Sequence, residues 1–146
     1  AQSFFALRGG GIGWGLPAAI GAKLALPDRP VVALVGDGSA MYTVQALWTA
    51  AHDKVPVIWV IFNNTSYRIL KQRLVNMRGL AEQADNFVGM NLTDPAIDFV
   101  GLARSLGIDA QRAKTVHETT DLIAQGLKSG KALLIDVDMD RNYKPM

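Results

Sequence analysis

The sequence contains 146 residues, of which 49% are hydrophobic and 19% are charged, so it is large enough for one domain with a sizeable core and too hydrophobic for a disordered chain. It contains no cysteine, which excludes a disulfide scaffold, thiolate catalysis and any zinc or iron–sulfur site built on cysteine. The net charge is only +2, and the longest apolar run, residues 57–62, is far shorter than the roughly 18 residues that span a bilayer. We therefore expect neither a nucleic-acid partner nor a membrane partner.

Short apolar segments with strand character alternate with longer helical segments along the chain. Residues 4–7 predict a short strand, residues 9–15 form a glycine-rich loop, and residues 16–26 predict a helix. Residues 31–35 are rich in valine and continuously apolar, which predicts a strand buried on both faces. A turn is expected at residues 36–39, which contain two glycines and a serine.

The middle of the chain continues this alternation. A helix is predicted over residues 41–52 and a strand over residues 56–62. A second helix is predicted over residues 67–77, whereas residues 79–93 have no clear period and are interpreted as a loop.

Four basic residues lie on or beside the predicted helix over residues 67–77, namely Arg68, Lys71, Arg73 and Arg78. We interpret them as a solvated helix face, and the alternative is a contact with an anion or a partner.

Two further helices are predicted in the last third of the chain. The Asp94-Pro95 pair is expected to cap a helix that continues through residue 106. Either Thr115 or Thr120 is expected to begin the next helix, which ends near residue 130.

Residues 133–137 predict the final strand, and Asp136 within it is interpreted as an ordinary strand-end carboxylate. Apolar strands separated by amphipathic helices predict a three-layer, doubly wound α/β domain with a mostly parallel sheet. Ligands bind beyond the carboxyl ends of the strands in such sheets. The candidate sites are therefore the loops at residues 9–15, 36–39 and 63–66.

The first of these loops has five glycines in seven positions, so its backbone can adopt positive φ angles and approach a ligand closely. Gly13, Gly15 and Ala18 also satisfy the dinucleotide-binding fingerprint between a predicted strand and a predicted helix. Asp37 follows about 20 residues later, as that fingerprint requires. An NAD(P)-binding Rossmann domain is therefore a competing hypothesis.

The second loop places Asp37 between Gly36 and Gly38, with Ser39 next. Its backbone N–H groups and the start of the following helix favour phosphate oxygens. A carboxylate beside them favours a divalent cation, because Mg²⁺ is usually held between a carboxylate and phosphates. The alternative is that Asp37 only caps a helix that begins at Met41.

The third loop begins with Asn63 and Asn64 at the end of the neighbouring predicted strand. Amide oxygens and backbone carbonyls are ligands for hard cations, and adjacent strands would bring Asp37 and Asn64 into one crevice. The alternative is a simple turn, since these residue types dominate turns. Together the second and third loops favour a metal–diphosphate site, and a non-catalytic metal- or nucleotide-binding module is a further hypothesis.

The segment Gly36-Asp37-Gly38, followed after 24 residues by Asn63-Asn64, resembles the signature of the thiamin diphosphate-dependent decarboxylase family. The resemblance extends over nearly the whole chain, including residues 15–22 and 27–29. Residues 38–40 and 46–51 are most similar to the benzoylformate decarboxylase branch, and the acetolactate synthase branch is next.

The resemblance implies a role for each motif position. The Mg²⁺ ligands would be the side chains of Asp37 and Asn64 and the backbone carbonyl of Ser66. Gly38 and Ser39 would contact the diphosphate. The carbonyl of Gly10 would accept a hydrogen bond from the aminopyrimidine, and Ile12 would hold the cofactor in its bent conformation. The remaining implied cofactor-binding residues are Gly11, Gly36 and Tyr67, and those on the substrate side are Ile69 and Leu70.

The chain departs from the family in two respects. Arg68 follows Tyr67 where the favoured branch commonly has glycine, which alters the rim of the pocket. The family's activating glutamate lies in a separate pyrimidine-binding domain, so we expect no catalytic residue in this chain and no turnover by the chain alone.

We expect residues 1–146 to be the pyrophosphate- and Mg²⁺-binding C-terminal domain of a longer multidomain enzyme. Its implied partners are the pyrimidine-binding domain of another subunit and a small 2-oxo acid, within a homodimer or homotetramer. No signal peptide opens the sequence, so we expect a cytoplasmic location.

Overall fold

The computed structural model of the chain describes residues 4–6 and 9–141. Within these residues, four strands form one sheet and seven helices surround it. The strands are β1 Val32–Gly36, β2 Ile58–Asn63, β3 Asp109–Ala113 and β4 Leu133–Asp138. The helices are α1 Gly15–Ala25, α2 Asp37–Ala40, α3 Ala46–His52, α4 Arg68–Met77, α5 Leu80–Gln83, α6 Phe99–Ser105 and α7 Val116–Ser129.

The strands lie in the order β1-β2-β4-β3, and all three pairings are parallel. Gly36 at the end of β1 pairs with Phe62 in β2, and Asn63 at the end of β2 pairs with Asp138 in β4. The carboxyl ends of these three strands therefore lie side by side at one end of the sheet, where ligands bind in α/β folds.

Two apolar cores lie on opposite faces of the sheet, because successive residues of a strand point to opposite faces. Trp59 and Ile61 of β2 belong to the core that α1, α3 and α6 cover. Ile58 and Val60 belong to the other core, which side chains of α7 cover. The predicted three-layer α/β fold with a parallel sheet is confirmed.

The strands differ from the prediction in three respects. Residues 4–6 have irregular backbone instead of the predicted strand, and residue 7 lies outside the described residues. β1 is not buried on both faces, since Leu34 is 61% exposed. β1 is an edge strand, and α7, which covers this face of the sheet, packs on the other three strands. β3 was not predicted, since this edge strand is largely polar and buries only Ala110 and Ala113.

The predicted turn at residues 36–39 is instead the start of the short helix α2. Of the predicted helix over residues 41–52, only the part in α3 is helical. The residues before α3 form turns, because their hydrogen bonds span three residues, as does the bond from the N–H of Tyr42 to the carbonyl of Ser39 at 3.3 Å. The predicted loop over residues 79–93 contains α5 and is otherwise irregular.

The Asp94-Pro95 pair does not cap the next helix, because α6 begins four residues later, with Asp98 at its N-cap position. Of the two candidates for the start of the last helix, Thr115 is correct, and its side chain accepts the N–H of Glu118 at 3.1 Å. None of the helices in the described residues combines the length and the apolar character needed to cross a membrane.

Candidate cofactor and metal site

The carboxylate of Asp37 is buried where β1 passes into α2, and the residue is only 2% exposed. Its Oδ1 accepts the N–H of Gly38 at 2.9 Å, and its Oδ2 accepts the N–H of Ser66 at 3.2 Å. The second bond joins the start of α2 to the loop after β2. Asp37 does not cap a helix from Met41, because no helix begins there: Asp37 is itself the first residue of α2, and α3 begins at Ala46.

Burial raises the pKa of the Asp37 carboxyl above its ordinary value of 3.8, because removal from water disfavours the charged form. The backbone N–H groups of Gly38, Ser66 and Thr65 lower the pKa in the opposite direction by a smaller amount. A cation bound to the carboxylate would compensate for this loss of hydration.

The side chain of Asn64 carries an orphaned polar atom. Its Oδ1 is buried and has no hydrogen-bond partner among the described residues. A buried acceptor left unsatisfied costs about 1–3 kcal/mol, so such an atom calls for a partner from outside the chain, either an ion, a ligand or a water molecule.

Residues 90–92 hold the loop that contains Asn64 and Ser66 from its outer side. The N–H of Leu92 donates to the carbonyl of Thr65 at 2.8 Å, and the N–H of Tyr67 donates to the carbonyl of Met90 at 2.9 Å. These bonds use the backbone on either side of Ser66, and the carbonyl of Ser66 takes part in neither.

The residues present fit a hard divalent cation. The carboxylate of Asp37, the amide oxygen of Asn64 and the carbonyl of Ser66 are oxygen ligands, which Mg²⁺ prefers, and they lie on two loops in contact. The described residues contain no group of three or more His, Cys, Asp and Glu side chains that could hold a metal by themselves. One carboxylate together with the phosphates of a ligand is a usual way to hold Mg²⁺.

The glycine-rich loop is bonded to the segment that follows Asp37. The N–H of Gly13 donates to Ser39 Oγ at 2.9 Å, and Thr43 Oγ1 donates to the carbonyl of Gly13 at 2.6 Å. Gly13 has φ +91°, and a Cβ at this position would lie 2.8 Å from the Cβ of Tyr42. This close packing explains the glycine at this position.

Tyr67 lies against Gly38, next to the buried carboxylate of Asp37. Burial raises the pKa of the Tyr67 hydroxyl above its ordinary value of 10.0, and the hydrogen-bonded Tyr42 and the charge of Asp37 raise it further. Tyr67 is therefore a neutral hydrogen-bonding group at physiological pH.

Comparison with known proteins agrees with this geometry. Residues 2–137 match the family described as "Thiamine pyrophosphate enzyme, C-terminal TPP binding domain", in which TPP is another name for thiamin diphosphate. The chain belongs to this family.

Two of the relatives come from different branches of the family. The chain is 38% identical over 138 residues to an acetolactate synthase large-subunit homologue of Mycobacterium tuberculosis, covering 94% of this chain and 27% of the relative. It is 38% identical over 135 residues to the benzoylformate decarboxylase of Pseudomonas aeruginosa, covering 92% of this chain and 24% of the relative.

The solved structure of the thiamine diphosphate-dependent 4-hydroxybenzoylformate decarboxylase of Rhodococcus jostii superimposes with a TM-score of 0.80 at 37% identity. The match covers 91% of this chain and 24% of that chain. The chain thus spans about a quarter of the length of the relatives that it matches.

The family assignment favours the diphosphate interpretation over the dinucleotide-binding alternative. The geometry agrees, because the N–H and the carbonyl of Gly13 are already bonded to Ser39 and Thr43. A side chain on Gly15 would approach Val35 Cγ2 to 2.8 Å, so this glycine serves the packing of α1 on β1.

The other predicted cofactor-binding residues line a groove or are exposed in the glycine-rich loop. A groove of about 520 Å³ beside β1 and α1 is lined by Gly11, Gly36 and Ser39, among others. Gly10, with φ +67°, and Ile12 are exposed at the tip of the glycine-rich loop.

The two predicted substrate-side residues, Ile69 and Leu70, are exposed in the first turn of α4. Tyr67 is the N-cap residue of this helix, and Arg68 separates it from Ile69.

Two charged side chains lie in environments other than those predicted from the sequence. Lys71 is not part of a solvated helix face: it is 8% exposed, donates a hydrogen bond to Asn91 Oδ1 and lies 5.9 Å from the ring centre of Phe87. Asp136 is not an ordinary strand-end carboxylate, since it is 1% exposed and forms an ion pair with Arg112. No sequence signal pointed to either contact, because the partners lie on an unpredicted strand and in an irregular loop.

Proposed function

We propose that this chain is the thiamin diphosphate- and Mg²⁺-binding domain of a 2-oxo acid decarboxylase similar to benzoylformate decarboxylase. The observation that carries the proposal is the buried amide oxygen of Asn64, which lacks a partner among the described residues and lies on a loop bonded to the buried Asp37. The 37% identity to a solved 4-hydroxybenzoylformate decarboxylase supports the class of reaction.

Asp37, Asn64 and the carbonyl of Ser66 would hold Mg²⁺, and the diphosphate would supply further oxygen ligands. The bound cofactor supplies the nucleophilic carbon and the electron sink that a 2-oxo acid needs to lose CO₂. The hydroxyl of Ser39 accepts the N–H of Gly13 and can still donate, so it would help to orient the diphosphate, whereas the N–H of Gly38 is already bonded to Asp37 Oδ1.

The glycine-rich loop and α4 would orient the rest of the cofactor and the substrate. The carbonyl of Gly10 would accept a hydrogen bond from the aminopyrimidine, and the apolar side chain of Ile12 would support the bent cofactor from below. Ile69 and Leu70 would present apolar surface to the substrate, and both are exposed at the start of α4 as this role requires.

We propose that residues 1–146 act as one domain of a longer, cytoplasmic enzyme that assembles as a homodimer or homotetramer. A pyrimidine-binding domain from another subunit would supply the activating glutamate and complete the cofactor site. The chain alone is expected to show no turnover, and measurable decarboxylation by the purified chain would contradict this assembly.

A second candidate is an acetolactate synthase-like carboligase, which the 38% identity to the Mycobacterium tuberculosis homologue supports. The two candidates differ in the fate of the part of the 2-oxo acid that remains after CO₂ is lost. A decarboxylase releases this part as an aldehyde, whereas a carboligase joins it to a second oxo acid.

Turnover by the full-length protein, with thiamin diphosphate and Mg²⁺, tests the proposal. We expect benzoylformate to yield benzaldehyde and CO₂. Asp37→Ala should reduce this rate by at least about 100-fold, because the loss of even outer partners of a metal ligand costs up to that much. Asp98→Ala, an exposed carboxylate outside the site, is the control and should retain the rate.

Formation of acetolactate from pyruvate with no release of benzaldehyde would favour the carboligase. Consumption of neither oxo acid by the wild-type protein would contradict both candidates.

A further inference from the structure

A chain of hydrogen bonds crosses the sheet from the far edge strand to the candidate site. Arg112 on β3 donates from Nε to Asp136 Oδ2 at 3.1 Å, and Nη2 of Arg112 lies 3.0 Å from the same oxygen. Asn63 at the end of β2 donates from Nδ2 to Asp136 Oδ1 at 3.0 Å. The N–H of Thr65 then donates to Asn63 Oδ1 at 3.2 Å.

Donor and acceptor chemistry fixes the direction of this chain. The guanidinium of Arg112 can only donate, and the carboxylate of Asp136 that it contacts can only accept. Asn63 must therefore present its NH₂ group to Asp136. Its carbonyl oxygen is left facing the loop, where it accepts the N–H of Thr65.

The turn that receives this bond is strained. Thr65 has φ +56°, which is unusual for a β-branched residue and costs of the order of 1–3 kcal/mol. Such a conformation persists only where its surroundings impose it. Thr65 separates Asn64 from Ser66, so its backbone conformation sets the relative positions of the two proposed cation ligands.

We propose that Asp136 and Arg112 are positioning residues for the cation site, acting through the side-chain amide of Asn63. This inference rests on the proposed function. It assigns a role to the ion pair between the half-exposed Arg112 on β3 and the buried Asp136 on β4, neither of which belongs to the segments that contain Asp37 and Asn64.

The test exchanges donors and acceptors within the full-length protein. In Asp136→Asn, the amide oxygen keeps the bond to Arg112 and the NH₂ group faces Asn63. Asn63 must then turn its own oxygen toward residue 136, and its NH₂ group confronts the N–H of Thr65. The double variant Asp136→Asn/Asn63→Asp restores an acceptor for each donor, because the carboxylate at residue 63 accepts from both neighbours.

The readouts are the Kd for Mg²⁺, from calorimetric titration with saturating thiamin diphosphate, and the thermal unfolding midpoint of the metal-free protein. Asp136→Asn should raise the Kd about 10- to 100-fold, as loss of outer metal partners does. The double variant should recover most of this loss. Asp98→Asn removes another carboxylate near Arg112, at 3.8 Å and without a bond to the loop, and should keep the wild-type Kd.

A purely structural role would lower the unfolding midpoint, leave the Kd of the folded protein unchanged and show no recovery in the double variant; this result would overturn the inference. If Asp136→Asn does not fold, Asn63→Ala is the deciding variant, because it keeps the Arg112–Asp136 pair and removes the side chain that joins Asp136 to the N–H of Thr65. A wild-type Kd in Asn63→Ala would overturn the inference, and a rise of about tenfold would support it.

The wild-type titration separates this inference from the proposed function. Absence of Mg²⁺ binding by the wild-type protein would contradict both. Wild-type binding that none of these variants changes would contradict only the positioning role of Asp136 and Arg112.

Discussion

The ring of Tyr67 occupies the space into which a side chain on residue 38 would project. A Cβ built on Gly38 lies 2.6 Å from both Cδ1 and Cε1 of Tyr67, which is far inside van der Waals contact. Gly38 is buried and has a negative φ, so steric contact with Tyr67 rather than backbone conformation requires the glycine. The start of α2 at Asp37 and Gly38 and the loop at residues 64–67 are thus matched in shape, as well as joined by the bond from the N–H of Ser66 to Asp37.

Gly38→Ala should displace Tyr67 and separate the two loops, because the ring cannot remain beside an added methyl group. We expect the affinity of the full-length protein for thiamin diphosphate with Mg²⁺ to fall at least about tenfold, as for other disturbed metal surroundings. Calorimetric titration measures this change. Gly21→Ala is the matched control: it lies within α1 with no atom near the added Cβ, so it should keep the affinity and stabilise the protein by about 0.5–1 kcal/mol. Equal affinities for the two variants would contradict the steric role of Gly38.

The raised pKa of the Asp37 carboxyl predicts a pH dependence that reverses when the cation is present. The folded protein binds this proton more tightly than the unfolded chain, whose pKa is near 3.8. Between 3.8 and the raised folded pKa, the contribution of Asp37 to the free energy of unfolding therefore falls as pH rises. A bound cation favours the carboxylate, so the stabilisation by Mg²⁺ with thiamin diphosphate should grow with pH through the same window.

Unfolding midpoints measured across this window, with and without Mg²⁺, test the dependence. Asp37→Asn cannot ionise and should lose the pH-dependent part of the stabilisation. A stabilisation by Mg²⁺ that is constant, or that decreases as pH rises, would show that Asp37 is not the group that binds the cation.

Lys71→Met should loosen the segment at residues 79–93 while preserving the buried apolar stem of the side chain. The substitution removes the hydrogen bond to Asn91 and the approach to the ring of Phe87. We expect a loss of about 1–3 kcal/mol in the free energy of unfolding and faster proteolysis within this segment. Arg73→Met, on an exposed part of α4, should change the stability by less than about 0.5 kcal/mol. Identical behaviour of both variants would contradict the buried role of Lys71.

The sequence was a good guide wherever local chemistry decides the structure. Apolar runs located β2 and β4, and Thr115 located the start of α7 because its side chain caps the first turn. The loop containing Asp37 was identifiable because a carboxylate between two glycines at a strand end has few other uses.

Features that depend on residues far away in the sequence could not be predicted. β3 is polar and becomes a strand only by pairing with β4, and Asp136 is buried because Arg112 on that strand neutralises it. The exposure of Leu34 likewise depends on the position of β1 at the edge of the sheet, which the sequence does not encode locally.

The most direct test of the account is a calorimetric titration of the full-length protein with thiamin diphosphate, with and without Mg²⁺. We expect binding that requires Mg²⁺ and that Asp37→Ala and Asn64→Ala both abolish, while Asp98→Ala should bind as the wild type does. Thiamin diphosphate binding that is independent of Mg²⁺ and insensitive to Asp37 and Asn64, or NADH binding in its place, would contradict it.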